Sequence, residues 1–247
     1  MPFAETPLRD EYAAAVEHLA RRTLDALRDG TAPPPGEAAG ETAPRPLLAA
    51  ARVLGPDLFA PRLLAGAAPD GPTAALLAEA RRTLPAPAAP TERAALVIAW
   101  QDWAASRLLA RTPHGDGAPA PAAPPDLPGP ADTGWQTWSV LMSQLAQLAL
   151  PGLDGPVHES ARAHSLELAR GTVRSLLRHD LTTAARLARW LALAAAEGRP
   201  PRLEVGPVLD RVRLAGDGSA RTALGLAVAH RLLADTGTGT ATGRRTA

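Results

Sequence analysis

Wherever proline and glycine do not interrupt this chain, its apolar residues return every three or four positions, and no stretch alternates apolar with polar over a strand's length. That regularity predicts an all-α fold, an irregular multi-helix bundle of about nine helices joined by Pro/Ala/Gly-rich loops. No repeat of fixed length appears, so a helical solenoid lacks its signature. The 26 prolines and 21 glycines keep most of these helices short.

The densest stretch runs from Pro156 to Gly198 and reads as two successive helices. Leu166, Ala169, Val173, Leu176 and Leu177 mark the apolar face of the first. Arg170, Arg174 and Arg178 form a basic line on its other side. The first helix ends near His179; Asp180, or Thr182 or Thr183 one turn later, can cap the second by accepting free backbone N–H groups. Leu187, Trp190, Leu191 and Ala194 face inward on that second helix. Gly198 and the prolines at 200 and 201 stop it.

In chain order, Thr6-Pro7 opens a helix that Gly30 ends. Short helices follow over Pro46–Leu54, Asp57–Ala65 and a segment ending at Leu84, and a long one over Thr91–Arg111. Residues 113–134 are too rich in Pro, Ala and Gly to build a packed core and form a linker or loop. They separate a helical half at 1–112 from another at 135–235, and 236–247 are a flexible tail. Trp135–Leu150 is helical. LEVGPVLDRVRLA, at 203–215, admits short strands but fits a helix better. The last helix starts at Asp217-Gly218-Ser219.

The chain has no lysine and no cysteine; all 26 of its bases are arginine. Codons of a GC-rich genome produce this composition, so abundant Ala and Arg carry no functional signal. Absence of cysteine excludes disulfides, thiolate metal sites and cysteine nucleophiles. The formal net charge is +1, yet 1–132 hold 12 Arg against 16 acids and 133–247 hold 14 Arg against 9. This polarity suits docking of the halves, or steering of an acidic partner to the C-terminal one. With no apolar leader at the N-terminus and no run long enough for a membrane span, a soluble cytoplasmic protein that does not engage the membrane is the expectation.

Four groups of residues are candidates for chemistry. His158, Glu159 and His164 resemble a zinc-protease helix, but six residues on a helix separate the histidines by about 9 Å and roughly 120°. Ordinary helix-start residues explain them more simply, so no metal or cofactor is predicted. His179-Asp180 offers an imidazole–carboxylate pair, but a helix end followed by a cap accounts for it more simply. Trp100/Trp103 and Trp135/Trp138 each share a helix face; they pack a core, or line a pocket for a small apolar ligand. Arg170, Arg174 and Arg178, with Arg186 and Arg189 on the next helix, suit a solvated face or an acidic protein surface. The glycines of AGDGSART lack the spacing of a phosphate-binding loop, and neither G-x-S-x-G nor a paired-aspartate motif occurs.

No convergent catalytic set emerges. The reading is a non-catalytic helical interaction or accessory protein that binds a protein partner or itself. A small-molecule enzyme or ligand-binding protein, with a pocket between tryptophan-bearing helices, is the alternative. Nucleic-acid binding is the weakest, because the basic excess of the C-terminal half is small.

Overall fold

The computed structural model describes residues 5–30, 32–39, 43–115 and 126–239. Among them are twelve α-helices and four short 3-10 turns and no strand, so the fold is all-α. The count exceeds nine partly because of a one-turn helix at Pro130–Thr133 and a break at His164. The chain divides into two compact units. The first runs through Pro125 and takes in Ser219–Leu224; the second comprises Asp126–Gly218 and the chain from Gly225 on.

In the first unit, α1 (Glu5–Asp29), α2 (Arg45–Leu54), α3 (Ala60–Leu64), α4 (Gly71–Thr83) and α5 (Glu92–Leu109) surround Leu19, Leu48, Leu54, Leu58, Phe59, Leu77 and Trp100. Asp70 accepts the Thr73 N–H at 2.8 Å to cap α4, and Thr91 accepts that of Ala94 at 3.1 Å to cap α5. Arg81 joins α4 to α5 through the Asp102 carboxylate at 3.2 Å and the Ser106 hydroxyl at 3.1 Å. Gly36 lies against the backbone of Pro72 and Thr73, where no Cβ would fit.

The second unit contains α6 (Pro130–Thr133), α7 (Trp135–Gln144), α8 (Pro156–Ala163), α9 (Ser165–Leu177), α10 (Leu181–Ala196) and α11 (Val205–Ala215), with the greater part of α12 (Ala220–Gly239). Its centre is α10, buried almost continuously from Ala184 to Ala194 and packed by α7, α9 and α11. Trp138, Met142, Leu187, Trp190, Leu191, Leu209 and Val228 fill the core around it. Each large apolar side chain contributes about 1.5–3 kcal/mol by leaving water. Asp180 caps α10 through the Thr183 N–H at 3.0 Å, as its place before the helix predicts.

Residues 203–215 are helical from Val205, which settles the stretch that composition left between strand and helix. Of the expected linker, Pro113–Gly115 form a 3-10 turn and Pro130–Thr133 one helical turn, steadied by the Gly129 N–H on the Asp132 carboxylate at 2.8 Å. Residues 116–125 and 240–247, with most of the expected flexible tail, lie outside the described residues. The helix runs past the expected end of the C-terminal half, to Gly239. Extending an existing helix adds one hydrogen bond per residue without a new nucleus.

The rotation of α9 departs from the sequence reading. Its buried residues are Leu168, Ala169, Gly171, Thr172 and Ser175, whereas Leu166, Val173 and Leu177 are exposed. The reason is close approach. A Cβ on Gly171 would lie 2.6 Å from the Ser139 Cβ and 3.0 Å from Leu187 Cδ1. Contact this tight with α7 and α10 at Gly171 leaves no room for a larger side chain there; Leu168 is the one leucine of α9 that is buried, and Leu166, Val173 and Leu177 face outward.

Candidate functional site

The chain leaves α7 through a 3-10 turn at Ala146–Leu148. Helix termini leave carbonyls without partners, and buried carbonyls need donors. Three buried side chains donate to carbonyls of this segment, of which Met142 O and Leu148 O also accept a backbone N–H. The Trp190 indole donates to Met142 O at 2.9 Å, and His158 Nε2 meets Leu148 O at 2.8 Å. Arg189 donates from Nε to Ala149 O at 3.1 Å and from Nη2 to Gln147 O at 3.4 Å. The His158 and Trp190 rings meet edge to face with centroids 5.3 Å apart.

A carbonyl only accepts, so the contact puts the His158 proton on Nε2 and leaves Nδ1 as a bare lone pair. Nδ1 is buried with no hydrogen-bond partner. Burial pushes the His158 pKa below the ordinary imidazole value, outweighing the carbonyl contact. With 1 % of its surface exposed, this neutral imidazole has no solvent-facing atom with which to serve a reactant. It secures the turn that follows α7.

The other predicted groups go to separate places. His164 stacks edge-on against Trp138 at 5.5 Å, so His158 and His164 each contact a different tryptophan. Glu159 is exposed on α8. His179 is exposed at the end of α9 with φ 57°, the left-handed conformation that commonly terminates a helix. The Asp180 carboxylate is committed to its cap. No group of three or more His, Asp or Glu side chains among the described residues is placed to hold a metal ion.

The tryptophan pairs belong one to each unit. On α5, Trp100 is buried and meets Trp103 edge-on at 5.4 Å, while the Arg107 guanidinium sits 5.5 Å from the Trp103 ring centre. On α7, Trp138 is buried in the core of the second unit and Trp135 is half-buried. A cleft of about 40 Å³ beside Arg52, Gln101 and Asp102 is lined by neither α5 tryptophan.

The five predicted partner-binding arginines divide by environment. Arg189 is 3 % exposed and bonded to backbone carbonyls, so it serves the interior rather than a surface. The physical reason is the broken end of α7, which needs buried donors. Arg186 is half-buried on α10. Arg170 and Arg178 are exposed and Arg174 half-exposed, and none of these three side chains forms an ion pair or hydrogen bond among the described residues.

Around α9 at about 100° per residue, Leu166, Arg170, Val173 and Leu177 fall within roughly 60° of one another, so Arg170 shares the face of these aliphatic residues rather than lying opposite them as expected. This stripe lies opposite the buried face. Leu166 is 37 %, Val173 41 % and Leu177 78 % exposed. The outer side of α9 therefore combines three branched aliphatic side chains with unpaired guanidinium groups. Single exposed apolar residues are common, but a row at helical spacing on an otherwise core-packed helix is a feature of binding surfaces.

One further cluster escaped sequence reasoning. Arg162 holds Glu197 through both carboxylate oxygens at 2.8 and 2.9 Å and Asp154 at 2.8 Å. It joins α8 to the end of α10 and to the loop before α8. The hydrogen bonds from Arg162 hold both carboxyls below their usual range, against the opposing effect of burial. Only tertiary structure pairs residues 35 apart; the alternation of Asp154, Arg162 and Glu197 in charge was its sole trace in the sequence.

No protein-family model, no curated protein and no solved structure matches this chain. No helix among the described residues is long and apolar enough to cross a membrane.

Proposed function

We propose that this chain is a non-catalytic helical protein that acts by binding another protein, and that the outer face of α9 is its binding surface. The observation that carries the reading is the outward row of Leu166, Val173 and Leu177 beside the unpaired Arg170, Arg174 and Arg178. Burying the aliphatic groups gives a partner non-directional attraction, and the guanidinium groups give orientation and faster encounter. The reading takes the cytoplasm as the compartment.

The test replaces Arg170, Arg174 and Arg178 together by alanine. All three lie on the solvent side of α9, so the fold and its circular dichroism stay unchanged. Tagged wild-type and triple-variant proteins are compared for the proteins they retain from an extract of the source cells, with Leu214→Ser as an exposed control on α11. Loss of a specific retained protein in the triple variant alone supports the reading. Identical retention by all three proteins refutes it.

A further inference from the structure

We infer that the outer face of α9 receives an acidic amphipathic helix of the partner, with Arg170 setting the register. This rests on the reading of α9 as a binding surface and specifies its occupant. Leu166, Arg170, Val173 and Leu177 follow one another at steps of four, three and four, the spacing of a helix–helix seam. The row is about 16 Å long and one side chain wide, a strip that a single helix of about three turns covers. A polar residue within such a seam fixes alignment, because only one register gives it a partner. Arg170 occupies that place, with Arg174 and Arg178 along one flank.

Charge selects the partner's composition. Glu167 is the only acid on α9, against its row of arginines. A second copy of the face would set Arg170 against Arg170 in parallel alignment. In antiparallel alignment, with Leu166 level with Leu177, the arginines of both copies would crowd one seam with only the two Glu167 residues to offset them. Acidic side chains around an apolar ridge satisfy both components of the face. A nucleic acid would engage the arginines but leave Leu177, 78 % exposed, without an apolar contact. An anionic bilayer needs a broader apolar face than this strip, which Arg174 borders and from which Leu168, Ala169, Gly171, Thr172 and Ser175 are turned into the core.

The probe is a synthetic three-heptad peptide with leucine at the seam positions and glutamate around them, carrying a fluorophore and titrated with the full chain. Its counterpart has lysine for every glutamate. The expected result is saturable binding of the glutamate peptide, weakened by salt, and no binding of the lysine peptide. Arg170→Glu with Arg174→Glu reduces affinity for the glutamate peptide at least tenfold and creates binding to the lysine peptide. Leu177→Ser reduces affinity several-fold. Circular dichroism verifies that both variants remain folded.

Absence of glutamate-peptide binding, or equal binding of both peptides, overturns the inference. So does tighter binding to phosphatidylserine-containing vesicles or to polyuridine than to the glutamate peptide. If the arginine-dependent capture described above persists while the glutamate peptide fails, the binding surface stands and the acidic-helix occupant is wrong. If capture is also independent of the arginines, both are wrong.

Discussion

Replacing Gly171 by alanine tests the packing that turns α9 outward. In isolation the change favours a helix by about 1 kcal/mol. Here the added Cβ would lie 2.6 Å from Ser139 Cβ, 2.9 Å from Ser139 Oγ and 3.0 Å from Leu187 Cδ1. Carbon atoms in ordinary contact sit about 3.5–4.0 Å apart. The Leu187 methyl is the end of a flexible side chain and yields at small cost. Ser139 Cβ is attached to the backbone of α7, so relief there requires one helix to move. Such overpacking costs about 1–3 kcal/mol; set against the helix-propensity gain, it leaves a net loss of about 1–2 kcal/mol for strain at the upper part of that range. Urea denaturation followed by circular dichroism reads this directly. Ser139→Gly removes the obstructing atoms, so the double variant recovers most of the loss, and the two changes couple by about 1–2 kcal/mol. A Gly171→Ala protein as stable as the wild type, or a double variant no better than the single one, would refute the close-approach account.

Two further perturbations follow from the second unit. Burial holds the His158 pKa below its ordinary value of 6.5, so the unfolded chain takes up that proton first. Its stability contribution is full above about pH 7 and declines as pH falls below 6.5. Asp154 and Glu197 have depressed values through Arg162, and their contributions are lost only at lower pH, below their ordinary values of 3.8 and 4.5. Thermal unfolding therefore shows a loss in two stages on acidification, and His158→Gln flattens the one just below neutrality; an unchanged profile in that variant contradicts the assignment. His179 holds φ 57°, which costs a non-glycine residue about 1–2 kcal/mol. His179→Gly should raise Tm by about 2–4 °C per kcal/mol recovered, and a lowered Tm would count against strain at this position.

Local signals were the readable part of this chain. Asp180 occupies the cap that its side-chain chemistry and its position before an apolar row indicate, because a cap is a contact between residues three apart. Gly198 and Gly30 follow helix ends with positive φ, again a property of adjacent residues. The candidate site was legible in its components but not in its orientation. The arginine line of α9 was visible, yet Leu166, Val173 and Leu177 read as a core face because aliphatic residues ordinarily are one. The six-residue spacing of His158 and His164 already argued against a pair, and the structure sets each against a different tryptophan. Arg189 looked like its solvent-facing neighbours in the arginine series, and the need for donors at the end of α7 placed it inside.

The sequence by itself determined the helical class, most breaks and the caps, because these depend on φ, ψ and hydrogen bonding within a few residues. It also determined which chemistries are absent from the side-chain inventory, cysteine chemistry first among them. The tertiary structure decided which side of α9 is buried, whereas the inward face of α10, with Leu187, Trp190, Leu191 and Ala194, was already legible in the sequence. Hydrophobic periodicity defines a face but not its neighbour, and in α9 the face made of Leu168, Ala169, Gly171, Thr172 and Ser175 is the buried one, with Gly171 permitting the close approach to α7. A larger apolar face was left outside as a consequence, since packing rewards fit between surfaces as well as hydrophobicity.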